Sequence, residues 1–357
     1  MMRRMFLMLI LFVIANRSFG QSADIKTFIE SYIRDHSFSG TILIKKKDLK
    51  LYENSFGLAN RAFNVPNSID TRYKIASVTK IFTSVLILQL YEQGKISLTT
   101  PVKTYIPGYT GKGGDKITIH HLLNHTSGLP YVGPKSKEDA LDNGMEEFQM
   151  PHSIDDAIRK YYSRDPVNEP GKIFSYNNGE YIILGKIIEN ICGKSFEEVL
   201  TQQILKPLGM NNSGLLFQYK IIPNLSDSYF MMNDSIGLVN DLPVFIQNWY
   251  SAGAMYSTVS DLDKFSESLF SGKLLKDESL NLMLTPGLEN YGYGLWVYYL
   301  ELNGRKYKVI KRPGDIMGTR AMFVYLPEES LSIIMLANTD SADLDDFSYQ
   351  LITKLIK

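Results

Sequence analysis

The chain has 357 residues, enough to bury a sizeable core in one large domain or in two lobes. Its 38 basic and 38 acidic side chains balance, and no block of like charge exceeds Lys45-Lys46-Lys47, which argues against a nucleic-acid partner or an anionic membrane surface. With Cys192 as its single cysteine it can form neither an internal disulfide nor a thiolate metal cluster.

Arg3 and Arg4 precede an apolar run over residues 5–15, and Ser18-Phe19-Gly20 places small residues where a signal peptidase reads. Residues 1–20 are therefore expected to be a signal peptide, cleaved before Gln21, with the mature chain periplasmic or secreted. The apolar run is shorter than the roughly 20 residues a bilayer span needs, so no stable span is expected after cleavage.

Ile25, Phe28, Ile29, Tyr32 and Ile33 recur at helical spacing behind Asp24, a suitable cap. Strand-like runs at 41–44 and 49–52 follow, separated by a charged turn. Residues 77–93 leave hardly any polar face before Gly94, so this helix should lie centrally. From about residue 100 to 242 the pattern is helical and loop-like, punctuated by seven prolines between Pro101 and Pro170. Ser195-Phe196-Glu197-Glu198 reads as a capping box for a helix closed by Pro207, and Thr258 opens another helix. Cys192, at the tail of an amphipathic helix, reads as a buried structural residue. Strand candidates at 306–311, 319–326 and 331–337 precede a final helix carrying Leu344, Phe347, Leu351 and Leu355 on one side. Together these predict an α+β fold, an antiparallel sheet flanked by helices and interrupted by a mostly α-helical lobe. The sheet lobe takes in about 21–99 and 243–357, the α-rich lobe about 100–242.

Ser77-Val78-Thr79-Lys80 sets a hydroxyl and an amine one turn apart on one face of a buried helix. Desolvation lowers the pKa of such an amine, which could then take the serine proton. Taken alone, the spacing reads better as a capping serine and a surface lysine.

Further elements carry a resemblance. Ser77 to Lys80 matches an S-x-x-K motif, and Ser175-Tyr176-Asn177-Asn178-Gly179 resembles the Tyr-x-Asn element of the class C β-lactamases and their D,D-peptidase and esterase relatives. Pro170-Gly171, the run from His121 to Pro130, Pro207-Leu208-Gly209-Met210 and Ser251-Ala252-Gly253 are similar to that family's landmarks and stand in its order. The resemblance implies a β-lactamase/transpeptidase-like fold and a serine hydrolase that forms an acyl-enzyme on Ser77 and cleaves an amide or ester bond. It gives Tyr176 an acid and base role beside Lys80, and Asn178 a hold on Lys80 and on the substrate carbonyl. The coupled pair allows no single base to be named. No metal or organic cofactor is implied, and the partner is a small-molecule or peptide substrate.

The third family element departs from the pattern. Arg312-Pro313-Gly314-Asp315 puts arginine where the family has Lys or His, and proline where many penicillin-recognising members have a hydroxyl. Arg312 is expected to bind a substrate carboxylate through two hydrogen bonds, and Gly314 to let substrate approach the backbone. The Asp315 amide would join that of Ser77 as an oxyanion hole. An Arg312–Asp315 salt bridge is the structural alternative. These changes also leave open a catalytically weak binding or sensor protein on the same fold.

Rival motifs fail. His120, His121 and His125 lack the His-Glu arrangement of a zinc site, Gly193-Lys194-Ser195 lacks the first glycine of a phosphate loop, and no Gly-x-Ser-x-Gly elbow occurs. Nothing in the sequence reads out oligomeric state, or chooses between a D-amino-acid peptide, an ester and a β-lactam.

Overall fold

The computed structural model describes residues 24–233 and 235–356; the expected signal peptide lies outside the described residues. Six strands form one sheet: β1 (Gly40–Lys46), β2 (Leu49–Phe56), β3 (Trp296–Leu302), β4 (Arg305–Ile316), β5 (Thr319–Leu326) and β6 (Leu331–Ala337). Their order is β3-β4-β5-β6-β1-β2, and every neighbouring pair is antiparallel. The helices that frame the site are α1 (24–36), α2 (Thr79–Glu92), α3 (Asn178–Cys192), α4 (Val259–Phe270) and α5 (Leu344–Leu355).

Successive strand residues face opposite sides, and both sides are apolar here. Ile42, Met322, Val324, Ile333 and Met335 join α1 and α5 in one cluster, where the rings of Tyr32 and Phe347 stack at 3.8 Å. Leu43, Ile310, Ala321, Phe323, Ile334 and Leu336 face the other way, toward α2 and α4. That second cluster runs on without a break into α3 and the helical segments between residues 100 and 250. Helix α2 sits inside it, with every residue from Thr79 to Leu88 buried.

Strands β5 and β6 coincide with the expected runs, and the caps at Ser195 and Thr258 form as read. Three differences have physical causes. Strand β3 escapes the sequence pattern because it is an edge strand with large apolar residues on both faces, which blurs the two-residue period. Strand β4 continues past the expected end at 311, through Pro313. Its pairing with β3 stops at Lys311, so from Arg312 onward only β5 is a ladder neighbour and the missing proline N–H leaves no gap. The helix expected from residue 77 begins at Thr79, after a 3₁₀ turn over Ala76–Val78 in which Ala76 takes φ 47°. Cys192 is half-buried rather than sealed, and burial raises its thiol pKa.

One of the sequence landmarks, Ser251-Ala252-Gly253, packs directly on α3. Gly185 of α3 meets Ser251 in the short helix Tyr250–Gly253, and a methyl group on Gly185 would come within 2.0 Å of Ser251 Oγ. Ser251 cannot turn away freely, because its Oγ donates to Tyr181 O at 2.7 Å while its carbonyl accepts from Thr83 Oγ1 at 2.7 Å. Gly185→Ala is expected to destabilise the protein by about 1–3 kcal/mol through overpacking, measured as a lowered midpoint in chemical denaturation.

Candidate active site

Ser77 sits in the tight turn that delivers the chain into α2, half-buried, with its neighbours Ala76 and Val78 fully enclosed. One turn on, the Lys80 side chain has no exposed surface, and its Nζ lies 3.1 Å from Ser77 Oγ, 2.7 Å from Asn178 Oδ1 and 2.9 Å from Ala252 O. Asn178 is the first residue of α3, and Ala252 lies in the landmark Ser251-Ala252-Gly253. Tyr176 donates its phenol hydrogen to Ser77 Oγ at 2.8 Å, and Lys80 Nζ lies 4.9 Å from the centre of its ring. Ser77, Lys80, Tyr176 and Asn178 are thus gathered at one point from two separate stretches of chain, and the Ala252 carbonyl joins them from a third.

Burial pushes the Lys80 amine well below the usual lysine range; the nearby Arg312 guanidinium adds to this, and Glu180 opposes it. A neutral amine has two hydrogens and one lone pair. Asn178 Oδ1 and Ala252 O can only accept, so they take the two hydrogens, and the lone pair is left facing the Ser77 hydroxyl. This arrangement can remove a proton from Ser77 without any histidine.

Arg312 faces the same side of the sheet as Ile310 and Gly314, but its guanidinium turns inward rather than toward substrate. It is 1% exposed and donates from Nε to Ser77 O at 2.8 Å, from Nη1 to the Tyr291 hydroxyl at 2.8 Å, and from Nη2 to the Tyr176 hydroxyl. The expected bidentate anchor for a carboxylate therefore has its fork already occupied by protein groups. Nor does Arg312 pair with Asp315; Asp315 bridges to Arg320, its cross-strand partner. Gly314 also differs from expectation. The close approach its bare Cα permits is that of the nucleophile turn: a methyl group there would meet Ile75 O at 2.4 Å and Ser77 N at 3.2 Å. Strand β4 consequently runs beside the Ser77 amide, which brings the backbone of Gly314 and Asp315 next to the candidate nucleophile.

A cavity of about 290 Å³ opens from Asn178 and Asp315, with Tyr131, Phe148, Trp249 and Met317 in its walls. The Phe148 and Trp249 rings stack at 3.7 Å. Both cations that line it are paired, Lys137 with Asp340 at 3.0 Å and Arg320 with Asp315.

The histidines have separate local tasks. His120 Nδ1 bonds the Tyr293 hydroxyl at 2.7 Å, His121 Nδ1 accepts the Thr118 N–H at 3.2 Å in a helix capping box, and His125 is buried against Glu180. Sequence reasoning missed Tyr291, Ala252 as an acceptor and the His125–Glu180 pair. Ala252 and His125 stood in segments already marked by the resemblance; Tyr291 and Glu180 did not.

The profile described as Beta-lactamase matches residues 25–354. The chain belongs to the Beta-lactamase family. Its structure overlays on the penicillin-binding protein from Bacillus halodurans with a TM-score of 0.75 and 27% identity, covering 90% of this chain and 97% of that one. The fold is accordingly that of the β-lactamase/transpeptidase type. A provisionally named penicillin-binding protein, PbpX of Bacillus subtilis (strain 168), is 31% identical over 270 residues, 75% of this chain and 64% of the relative. The teichoic acid D-alanine hydrolase of Staphylococcus aureus (strain MRSA252) is 27% identical over 274 residues, 75% of this chain and 65% of that protein. The chain thus spans just under two thirds of these two relatives.

Because Arg312 ties Ser77 to Tyr176 within this Beta-lactamase-family site, its loss should slow all substrates together. Arg312→Leu and Arg312→Lys are each expected to lower kcat on the order of 10- to 100-fold. The relative ranking of carboxylate-bearing and neutral acyl substrates should stay unchanged, as read from paired kcat/KM values.

Proposed function

We propose that this chain is a serine acyl hydrolase in which Ser77 is acylated and Lys80 and Tyr176 move the protons. The observation that carries this reading is the Lys80 amine, buried, with two pure acceptors for its hydrogens and its third contact at Ser77 Oγ. Ser77 Oγ attacks the carbonyl carbon of an amide or ester while its proton passes to the Lys80–Tyr176 pair. The backbone amides of Ser77 and Asp315 receive the oxyanion. Collapse breaks the bond to the amine or alcohol, which leaves with the proton held by the pair. Water then attacks the acyl ester, gives its proton to the same pair, and frees Ser77 and a carboxylic acid. Asn178, whose Oδ1 is held by Lys80, keeps its amide hydrogens for the substrate carbonyl on the cavity side.

The substrate read from the cavity is an acyl compound with a neutral, apolar side chain. Aromatic walls favour such a group, and the lining cations are engaged with carboxylates. The D-alanine hydrolase relative supports a D-configured acyl centre. Export is part of this proposal, supported by the charged, apolar and small-residue pattern of residues 1–20. Among the described residues no helix is long and apolar enough to cross a membrane.

Exposure to a fluorophosphonate should add one covalent group to the wild type, read by intact mass, and none to Ser77→Ala, whose thermal unfolding should be nearly unchanged. An adduct on the mutant would exclude Ser77 as nucleophile. The pH profile offers a separate check. Lys80 works unprotonated and its pKa is lowered, so kcat/KM should fall as pH drops through that lowered value, well below the ordinary lysine range. A rate that climbs into the ordinary lysine range near ~10.4 would contradict it.

A further inference from the structure

Behind Tyr176 lies a buried pair that the chemistry above does not use. The side chains of His125 and Glu180 are 0% and 1% exposed, and His125 Nδ1 hydrogen-bonds with Glu180 Oε2. Glu180 stands in the first turn of α3, and its Oε1 accepts the Ser127 N–H at 3.2 Å. His125 holds the other side of the site. Its carbonyl accepts the Ser175 N–H at 2.9 Å, its Nδ1 accepts the Asn177 N–H at 3.3 Å, and its ring lies 4.5 Å from that of Tyr176. The pair therefore grips the backbone on both sides of Tyr176 and just ahead of Asn178.

These partners decide where the shared proton resides. A ring nitrogen that accepts an amide N–H presents a lone pair there and carries no hydrogen of its own. With Nδ1 bare, its single in-plane lone pair is shared between the Asn177 N–H and the hydrogen of the Glu180 contact, which then belongs to the carboxyl group. We propose that Glu180 is a neutral carboxylic acid donating to His125, and that this uncharged clamp positions Tyr176 and Asn178 while keeping a buried negative charge away from Lys80. The role assigned to Lys80 rests on the acyl-hydrolase reading above.

The surroundings agree with a neutral pair. The groups that face it are Lys80 from α2, Arg312 from β4, and the rings of Phe174, Tyr176, Tyr181 and Tyr291. Burial pushes the Glu180 carboxyl well above the usual carboxylate range and the His125 imidazole well below its own, with Lys80 and Arg312 adding to the latter. A charged Glu180 would draw a proton onto Lys80. His125 Nε2 meets no hydrogen-bond partner among the described residues. In this tautomer it is an N–H enclosed by aromatic rings, whose faces are weak acceptors.

The test compares Glu180→Gln with Glu180→Ala. Gln reproduces the neutral acid, donating to Nδ1 and accepting from Ser127, so kcat/KM should stay within about threefold of wild type with the acid limb of its pH profile in place. Ala removes both bonds, and kcat should drop on the order of tenfold or more at nearly constant KM. If Gln fails as badly as Ala, or moves the acid limb down by about one pH unit or more, Glu180 is ionised and the proposal falls. A folded Ala variant with wild-type kcat would remove the clamp. Nitrogen-15 NMR of His125 in the wild type should find Nδ1 bare and Nε2 protonated; a protonated Nδ1 overturns the assignment. That measurement needs no turnover, so it stands apart from any failure of the hydrolase reading or of the Ala variant to fold.

Discussion

A primary amine sealed from water is the constraint around which this molecule is arranged. Lys80 has no exposed surface, and an unpaired charge there would be costly. The fold answers with two oxygens that can only accept, one from the start of α3 and one from the backbone at Ala252. To hold both within reach, α3 and the segment 250–253 must pack directly on α2. The bare Cα of Gly185 and the bonded hydroxyl of Ser251 are the local price of that contact.

Arg312 extends the same logic to the far side. An arginine remains charged in any protein setting, so burying it demands several acceptors. It finds the carbonyl of Ser77 and the hydroxyls of Tyr176 and Tyr291. The charge departs from the family's usual Lys or His, yet what it holds is the candidate nucleophile and its tyrosine neighbour. A single cation therefore ties the turn before α2 to the Tyr-Asn-Asn segment and to residue 291, and also helps push the Lys80 pKa down.

Much of this was legible in the sequence. The nearly continuous apolar runs of β5, β6 and α2 reflect burial on both sides, and the Ser77, Lys80, Tyr176 and Asn178 cluster followed from motif order. Side-chain direction was not legible. The odd spacing of Arg312 and Asp315 on β4 sets them on opposite faces, but nothing local could say that Tyr291, about twenty residues upstream, would draw the guanidinium inward. Gly314 was read as making room for substrate, whereas the neighbour that needs the room is Ile75, more than two hundred residues away. Partners so distant in the chain leave no periodic trace.

The order of the sheet has a temporal meaning as well. Strand β1, near the start of the described chain, pairs with β6, which is almost its last element. Strand β4, which carries Arg312 and Gly314, reaches the Ser77 turn from the same late stretch. A chain still emerging, or threaded through a pore, would carry Ser77 and Lys80 without the strand that completes their surroundings. The setting of the candidate nucleophile is thus completed only when β4, a late strand, pairs into the sheet.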